Sequence, residues 1–328
     1  MFQSELNYKE YLNKLKKNEL INIINDYNKL CDIYGYKKIE DTKSKKEVLI
    51  DLIDNVKENY TKGIIMSLDK KDFFALKEMV KKSSMESLNN NRALINFLKS
   101  KYVLLLNDTL EIPKDTKLIE ILKEKNVQKH IDYWTNVYDF VDGVIIAYGV
   151  IDISHFNEII KDVKEKDNIF KMIDFYYKKD YTLEEDRIVS NKLSNKKRID
   201  KYFKNKNYKK FAIREYIALG RSLYHHNIKA YKKFIKMLKN YYVFKKNDIE
   251  FVDSNIVIPY LYNKINEEEI AKNTLEETVV RLFEFKGDKL KEKMLAEIIK
   301  IRNEFPLWEL RGFSKAEGNE KWKKMDIQ

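Results

Sequence analysis

The sequence predicts a mainly α, multi-helical fold, and three observations carry that expectation. In 328 residues there are only 8 Gly and 3 Pro, too few for the tight turns of a β-sandwich or of repeated βα units. Apolar residues recur at three- and four-residue spacing in segment after segment, the period of an amphipathic helix. Hydrophobic residues make up 44% of the chain and aromatics 13%, enough for packed cores although 35% of residues are charged.

The length exceeds one typical domain, and changes of rhythm divide the chain into 1–62, 63–125 and 126–328. In the first region Leu15, Leu20, Ile23, Ile24 and Tyr27 mark one amphipathic helix, which a turn near Gly35 ends. A second helix follows, with Val48, Leu49, Leu52, Ile53 and Val56 as its apolar face. Ser44 and Glu47 have the spacing of a capping box, which sets its start.

This stretch, LKKNELINIINDY…GYKK…TKSKKEVLIDLI, resembles the small SAP-type or Rho-N-terminal-type helix–extended loop–helix module. The matching residues are Leu15 and Leu20, Gly35 near the loop, and Ser44-Lys45-Lys46-Glu47-Val48-Leu49-Ile50 opening the second helix. Members of that group commonly bind DNA or RNA. The resemblance therefore implies a small nucleic-acid-binding hairpin, with Lys16, Lys17, Lys45 and Lys46 as candidate contacts.

The second region predicts helices over 69–82 (Phe73, Leu76, Met79, Val80) and 89–100 (Leu94, Ile95, Leu98). Two short apolar runs around Asn107-Asp108 then read as one short β-hairpin. Two helices and a hairpin outline a winged-helix-like unit, whose second helix would enter a DNA groove. That helix carries few cations, Arg92 and Lys99, and a plain packing role is the competing reading. The third region opens with a strongly apolar stretch, YDFVDGVIIAYGVIDISHF, which reads as a buried helix pair or one kinked helix. Short helices are expected after it at 169–179 and 183–193.

The formal net charge is +12, and its placement is uneven. From Asn191 to Asn247 there are 18 Lys and Arg against only Asp200 and Glu215, so the rest of the chain is slightly acidic. Lysine-rich composition alone does not produce such segregation. In the later half of this segment Ile228, Tyr231, Ile235, Leu238 and Tyr242 share one helical face. Lys229, Lys232, Lys233, Lys236 and Lys239 share another, a stripe about 15 Å long at the α-helical rise. Lys196, Lys197, Arg198, Lys209 and Lys210 precede it and complete the candidate nucleic-acid contacts. The interleaved aromatics, among them Tyr202, Phe203, Tyr208, Phe211, Tyr216 and Phe244, suit either base stacking or a core.

Near the end, NEFPLWELRGFSKAE sets Pro306 after a helix and Trp308, Leu310 and Phe313 in a polar tail. Pro306, Trp308, Arg311, Gly312, Ser314 and Glu317 fall on a pattern that resembles the tail of uncharacterised, SEC-C-associated helical proteins of Gram-positive bacteria. No Cys-rich zinc module follows, so the likeness implies relatedness and no activity. A structural role is expected, with Trp308 docked in a groove of the body.

Several classes fall away. Cys31 is the single cysteine, which removes an intrachain disulfide or a cysteine zinc site. The histidines, His130, His155, His225 and His226, form no His-x-x-x-His or Glu-x-x-His motif, so no metal is expected; glycine-rich phosphate loops and nucleophile elbows are absent. No small-molecule cofactor is expected either. No apolar run approaches the length of a membrane helix, and the start lacks a signal-peptide pattern, which points to a cytoplasmic chain without a membrane partner. The leading expectation is a non-enzymatic protein that binds DNA, or less readily RNA, on its basic helical surface. An acidic protein partner for the same surface is the alternative. A third reading is a metal-dependent nuclease built on Asp253, Glu284 and Lys286.

Overall fold

The structure, a computed structural model, describes residues 3–4, 7–82, 91–103, 105–106, 110–113, 115–176, 178–193, 207–242, 246–263, 277–283, 288–308 and 311–317. In chain order the elements begin with β1 (Gln3–Ser4), α1 (Tyr8–Lys14), α2 (Lys17–Tyr34), α3 (Lys46–Met66), α4 (Lys70–Lys82) and α5 (Arg92–Ser100). Next come β2 (Leu105–Leu106), β3 (Leu110–Pro113), α6 (Leu118–Ile121), α7 (Lys125–Tyr148), β4 (Val150–Asp152), α8 (Ile153–Ile160) and α9 (Lys166–Phe175). They continue with β5 (Tyr181–Leu183), β6 (Arg187–Ser190), α10 (Ile213–Gly220), α11 (Lys229–Tyr241), α12 (Lys246–Val252) and α13 (Asp288–Glu304). The fold is mainly α, as expected.

The chain forms two compact units, Met1–Tyr138 with Ile160–Lys179, and Asp139–Ile159 with Asp180–Gln328. The division expected at 62 falls inside α3, which runs unbroken to Met66. Residues on both sides of 62 and of 125 share one core, from Tyr8 and Leu20 through Ile53 and Leu76 to Ile121 and Ile131. Neither boundary separates independent cores, because the hairpin-sized pieces bury their apolar faces against each other.

In the first unit α1 starts at a reciprocal cap: Asn7 Oδ1 accepts from Glu10 N at 2.8 Å and Glu10 Oε2 accepts from Asn7 N at 2.9 Å. Helix α2 ends at Gly35, whose φ of 72° places it in the left-handed region that glycine tolerates. The expected Ser44–Glu47 box does not form. Ser44 turns its hydroxyl to Asp41, whose Oδ1 also takes the backbone N–H of Lys43 and of Ser44, each at 3.1 Å. The buried face of α3 is Leu49, Ile50, Ile53, Tyr60 and Ile64, with Leu52 and Val56 packed against the same core; of the expected face only Val48 stands exposed. Two helices followed by a β2–β3 antiparallel pair appear in the expected order. Strand β3 also pairs in parallel with β1; the turn expected at Asn107-Asp108 lies outside the described residues.

Helix α7 runs unbroken into the second unit and through Gly143, and ends at Gly149, with φ of 67°. A strand follows rather than more helix: Val150 pairs with Val189 and Asp152 with Arg187 in antiparallel β4–β6. Strand β5 flanks β6 on its other side, Tyr181 opposite Ser190. The short helix expected over 183–193 is therefore a β-hairpin. Its β-branched Ile188 and Val189 are buried and suit a pleated surface. Gly143 and Gly220 let α7 and α10 approach to backbone contact: a Cβ on the first would sit 1.7 Å from Tyr216 O, and on the second 1.8 Å from Asp139 O.

After α13, Pro306 ends the helix and the tail folds back. Trp308 is 3% exposed, packs with Val150 and Val189, and donates its indole N–H to Ile146 O at 2.8 Å. Gly312 (φ 85°) lies under Tyr148 and Phe211, and Glu317 accepts from Ser314 N at 2.8 Å. The residues that carry the tail pattern thus make docking contacts. Among the described residues no helix is long and apolar enough to cross a membrane.

Candidate functional site

Helix α11 sorts its residues by its 3.6-residue period. Ala230, Tyr231, Phe234, Met237 and Leu238 are buried, against α13 among other elements. Lys229, Lys232, Lys233, Lys236 and Lys239 are all exposed on the other side. None of the five makes an ion pair or side-chain hydrogen bond with a described residue. Lysines three and four apart on one face repel by about 0.2–0.5 kcal/mol per pair, so the face is a surface that an anion would relieve. Among the described residues Tyr216, Tyr224, Tyr231 and Phe234 are core, and Tyr202, Phe203 and Phe244 lie outside them. Tyr216 exchanges a hydrogen bond with Tyr148 at 2.6 Å and meets Phe140 edge-on, while Phe234 is fully buried. Tyr241, 49% exposed, is the aromatic of α11 that faces solvent, with Lys293 Nζ 5.5 Å from its ring centre.

The other expected contacts differ in their commitments. Lys209 is woven into the tail: its ammonium meets Glu317 at 2.6 Å and its backbone N–H donates to Arg311 O at 3.0 Å. Burial alone would raise Glu317, but Lys209 and the Ser314 N–H hold its carboxyl below the usual range. Lys210 is exposed, and Lys196, Lys197 and Arg198 lie outside the described residues. In the first unit, Lys17 Nζ donates to Lys43 O at 3.3 Å and Lys46 Nζ to Asn13 O at 2.7 Å. These two bonds bring the N-termini of α2 and α3 side by side, with Lys16 and Lys45 exposed at the two cap positions.

A second constellation joins residues that the sequence sets apart. His225 and His226 sit on a 3₁₀ turn, Tyr224–Asn227, and Asp253 opens a π-helical turn, Asp253–Val257. His226 Nε2 lies 2.9 Å from Asp253 Oδ2, and His225 Nε2 lies 3.4 Å from Oδ1. Tyr231, from the buried face of α11, donates its hydroxyl to the same carboxylate at 2.8 and 3.0 Å. Burial would raise the Asp253 carboxyl, but the imidazoles and the Tyr231 hydroxyl outweigh it and hold it below the usual carboxylate range. Tyr231 is correspondingly pushed up, by burial and then by Asp253. Adjacent histidines on an α-helix would diverge by about 100°. Here the two rings lie 4.4 Å apart, centre to centre, and both reach one acid 27 residues away from His226, a pairing with no signature in the sequence.

No family model, no curated protein and no solved structure matches the chain. Both surfaces therefore stand on their own geometry. For the nuclease reading, Asp253 occupies a helical turn rather than the strand that such a site uses, and 277–282 is helical. Glu284 and Lys286 lie outside the described residues.

Proposed function

We propose that the chain is a non-enzymatic nucleic-acid-binding protein whose lysine face on α11 holds the phosphate backbone, of DNA in preference to RNA. One observation carries this reading: five lysines stand exposed on one face of a single helix, without acidic partners among the described residues. A row of cations about 15 Å long displaces condensed counterions from several phosphates at once. A helix fits the B-DNA major groove, about 12 Å wide, whereas the deep, narrow major groove of A-form RNA excludes it. Lysine reads phosphate charge and carries little base information, so binding is weakly sequence-dependent. The SAP-like resemblance of the first region supports the same reading through Lys16 and Lys45.

The test is fluorescence anisotropy with labelled duplex DNA, single-stranded DNA and duplex RNA at low salt, with poly-glutamate as a parallel probe. Duplex DNA is expected to bind tightest. Capture of poly-glutamate with no affinity for any nucleic acid would replace the proposal with an acidic protein partner.

A further inference from the structure

We propose that His225, His226 and Asp253 form a binding site for a zinc-class divalent cation, built between the Tyr224–Asn227 turn and the π-helical turn at Asp253. One ring nitrogen from each histidine and one carboxylate oxygen all lie within 4.8 Å of one another. Ligand atoms at the corners of a tetrahedral zinc site stand about 3.3 Å apart, since each bond is about 2.0–2.2 Å. His225 Nε2 stands 3.4 Å from Asp253 Oδ1 and His226 Nε2 2.9 Å from Oδ2, so each ring lies close to that edge length from one oxygen of the carboxylate.

The decisive residue is His225. Its side chain is wholly buried, and its Nε2 makes no hydrogen bond although a carboxylate oxygen lies 3.4 Å away. A buried ring nitrogen that makes no hydrogen bond is uncommon in folded proteins, and a cation between it and Asp253 would satisfy it. Its other nitrogen, Nδ1, faces the Tyr262 hydroxyl at 3.4 Å, and Tyr231 holds the carboxylate. Partners of this kind orient ligands in metal sites. Two imidazoles and one carboxylate favour zinc and its transition-metal neighbours over magnesium or calcium, which prefer all-oxygen sets. The His226 side chain is 44% exposed, which provides an entry path and leaves a fourth position for water. The lysines of α11 take no part, so this inference and the nucleic-acid reading stand or fall separately.

Full-length protein freed of metal by chelator and dialysis would be titrated with Zn²⁺ calorimetrically and with Co²⁺ by visible absorption, with Mg²⁺ as control. The expected result is one ion per chain, the absorption of four-coordinate Co²⁺, and a rise in Tm with Zn²⁺. His226→Ala is expected to weaken binding at least about 100-fold, beyond the loss seen when outer partners of metal ligands are removed, and to abolish the Tm rise. If that variant loses helicity, His226→Gln, which keeps a donor toward Asp253, serves in its place. Wild-type protein that takes up no Zn²⁺, or an affinity unchanged by loss of His226, would overturn the site.

Discussion

Trp308 and Ile146 are joined by a hydrogen bond of 2.8 Å from the indole N–H to the helix carbonyl, which ties the tail to the end of α7. The ring fills the space over Gly149, where a Cβ would come within 2.3 Å of it. Trp308→Ala is expected to cost about 3–5 kcal/mol, the range for emptying a large aromatic from a packed site. Denaturant unfolding checks this, and a loss under about 1 kcal/mol would mean that the tail is not docked in solution.

Two left-handed glycines separate conformation from crowding. At Gly35 an added methyl meets nothing within 4 Å, whereas at Gly149 it meets Trp308. Gly35→Ala is expected to cost about 1 kcal/mol for the left-handed backbone alone. Gly149→Ala should cost several times that, measured as Tm. Equal losses would contradict the packing described for the tail.

The crossing of α7 and α10 gives a coupling prediction. Gly143→Ala and Gly220→Ala each push a methyl into a backbone carbonyl of the opposite helix. Each is expected to destabilise by more than about 2 kcal/mol. Because both force the same helices apart, the double variant should cost less than the two losses added together. Simple additivity by denaturant unfolding would show that the helices do not share one contact.

His130 makes the first unit sensitive to acid. Burial between Tyr34 and Trp134 pushes its imidazole down to about 4 from 6.5, and its Nε2 has no hydrogen-bond partner. The native state thus disfavours the charged ring while the unfolded chain accepts the proton. The stability linked to this group is complete above pH 6.5 and is lost as pH falls toward about 4. Tm should drop over that window in the wild type and drop less in His130→Phe. Parallel Tm–pH curves would assign the acid sensitivity elsewhere.

Much of the fold was legible where a single helix decides its own burial. The period of α11 placed Ile228, Tyr231 and Leu238 inside and all five lysines outside, though Ile235 and Tyr242 are half-buried and Phe234 and Met237 take their place in the core; Pro306 with Trp308 marked a docked tail. What failed depended on partners distant in sequence. Arg187–Ser190 became a strand because Val150–Asp152 offers it an edge, which no local window reveals. Val48 faces solvent because the neighbours of α3 decide how far round the helix the covered face extends. The meeting of His225 and His226 with Asp253 joins a 3₁₀ turn to a π-helical turn across 27 residues of chain, a long-range contact that hydrophobic spacing does not encode.

If the lysine face of α11 holds nucleic-acid phosphates, duplex DNA affinity must fall steeply with salt across about 50–300 mM. Wild type is compared with the variant in which Lys229, Lys232, Lys233, Lys236 and Lys239 are all changed to Gln. The variant should fold as well as the wild type, since its five side chains are exposed and like charges have been removed. The wild-type slope is expected to be steep and to flatten by about 0.9 for each lysine in contact with a phosphate. A slope identical in the two proteins, or no wild-type binding at the lowest salt, would contradict that role for the lysine face.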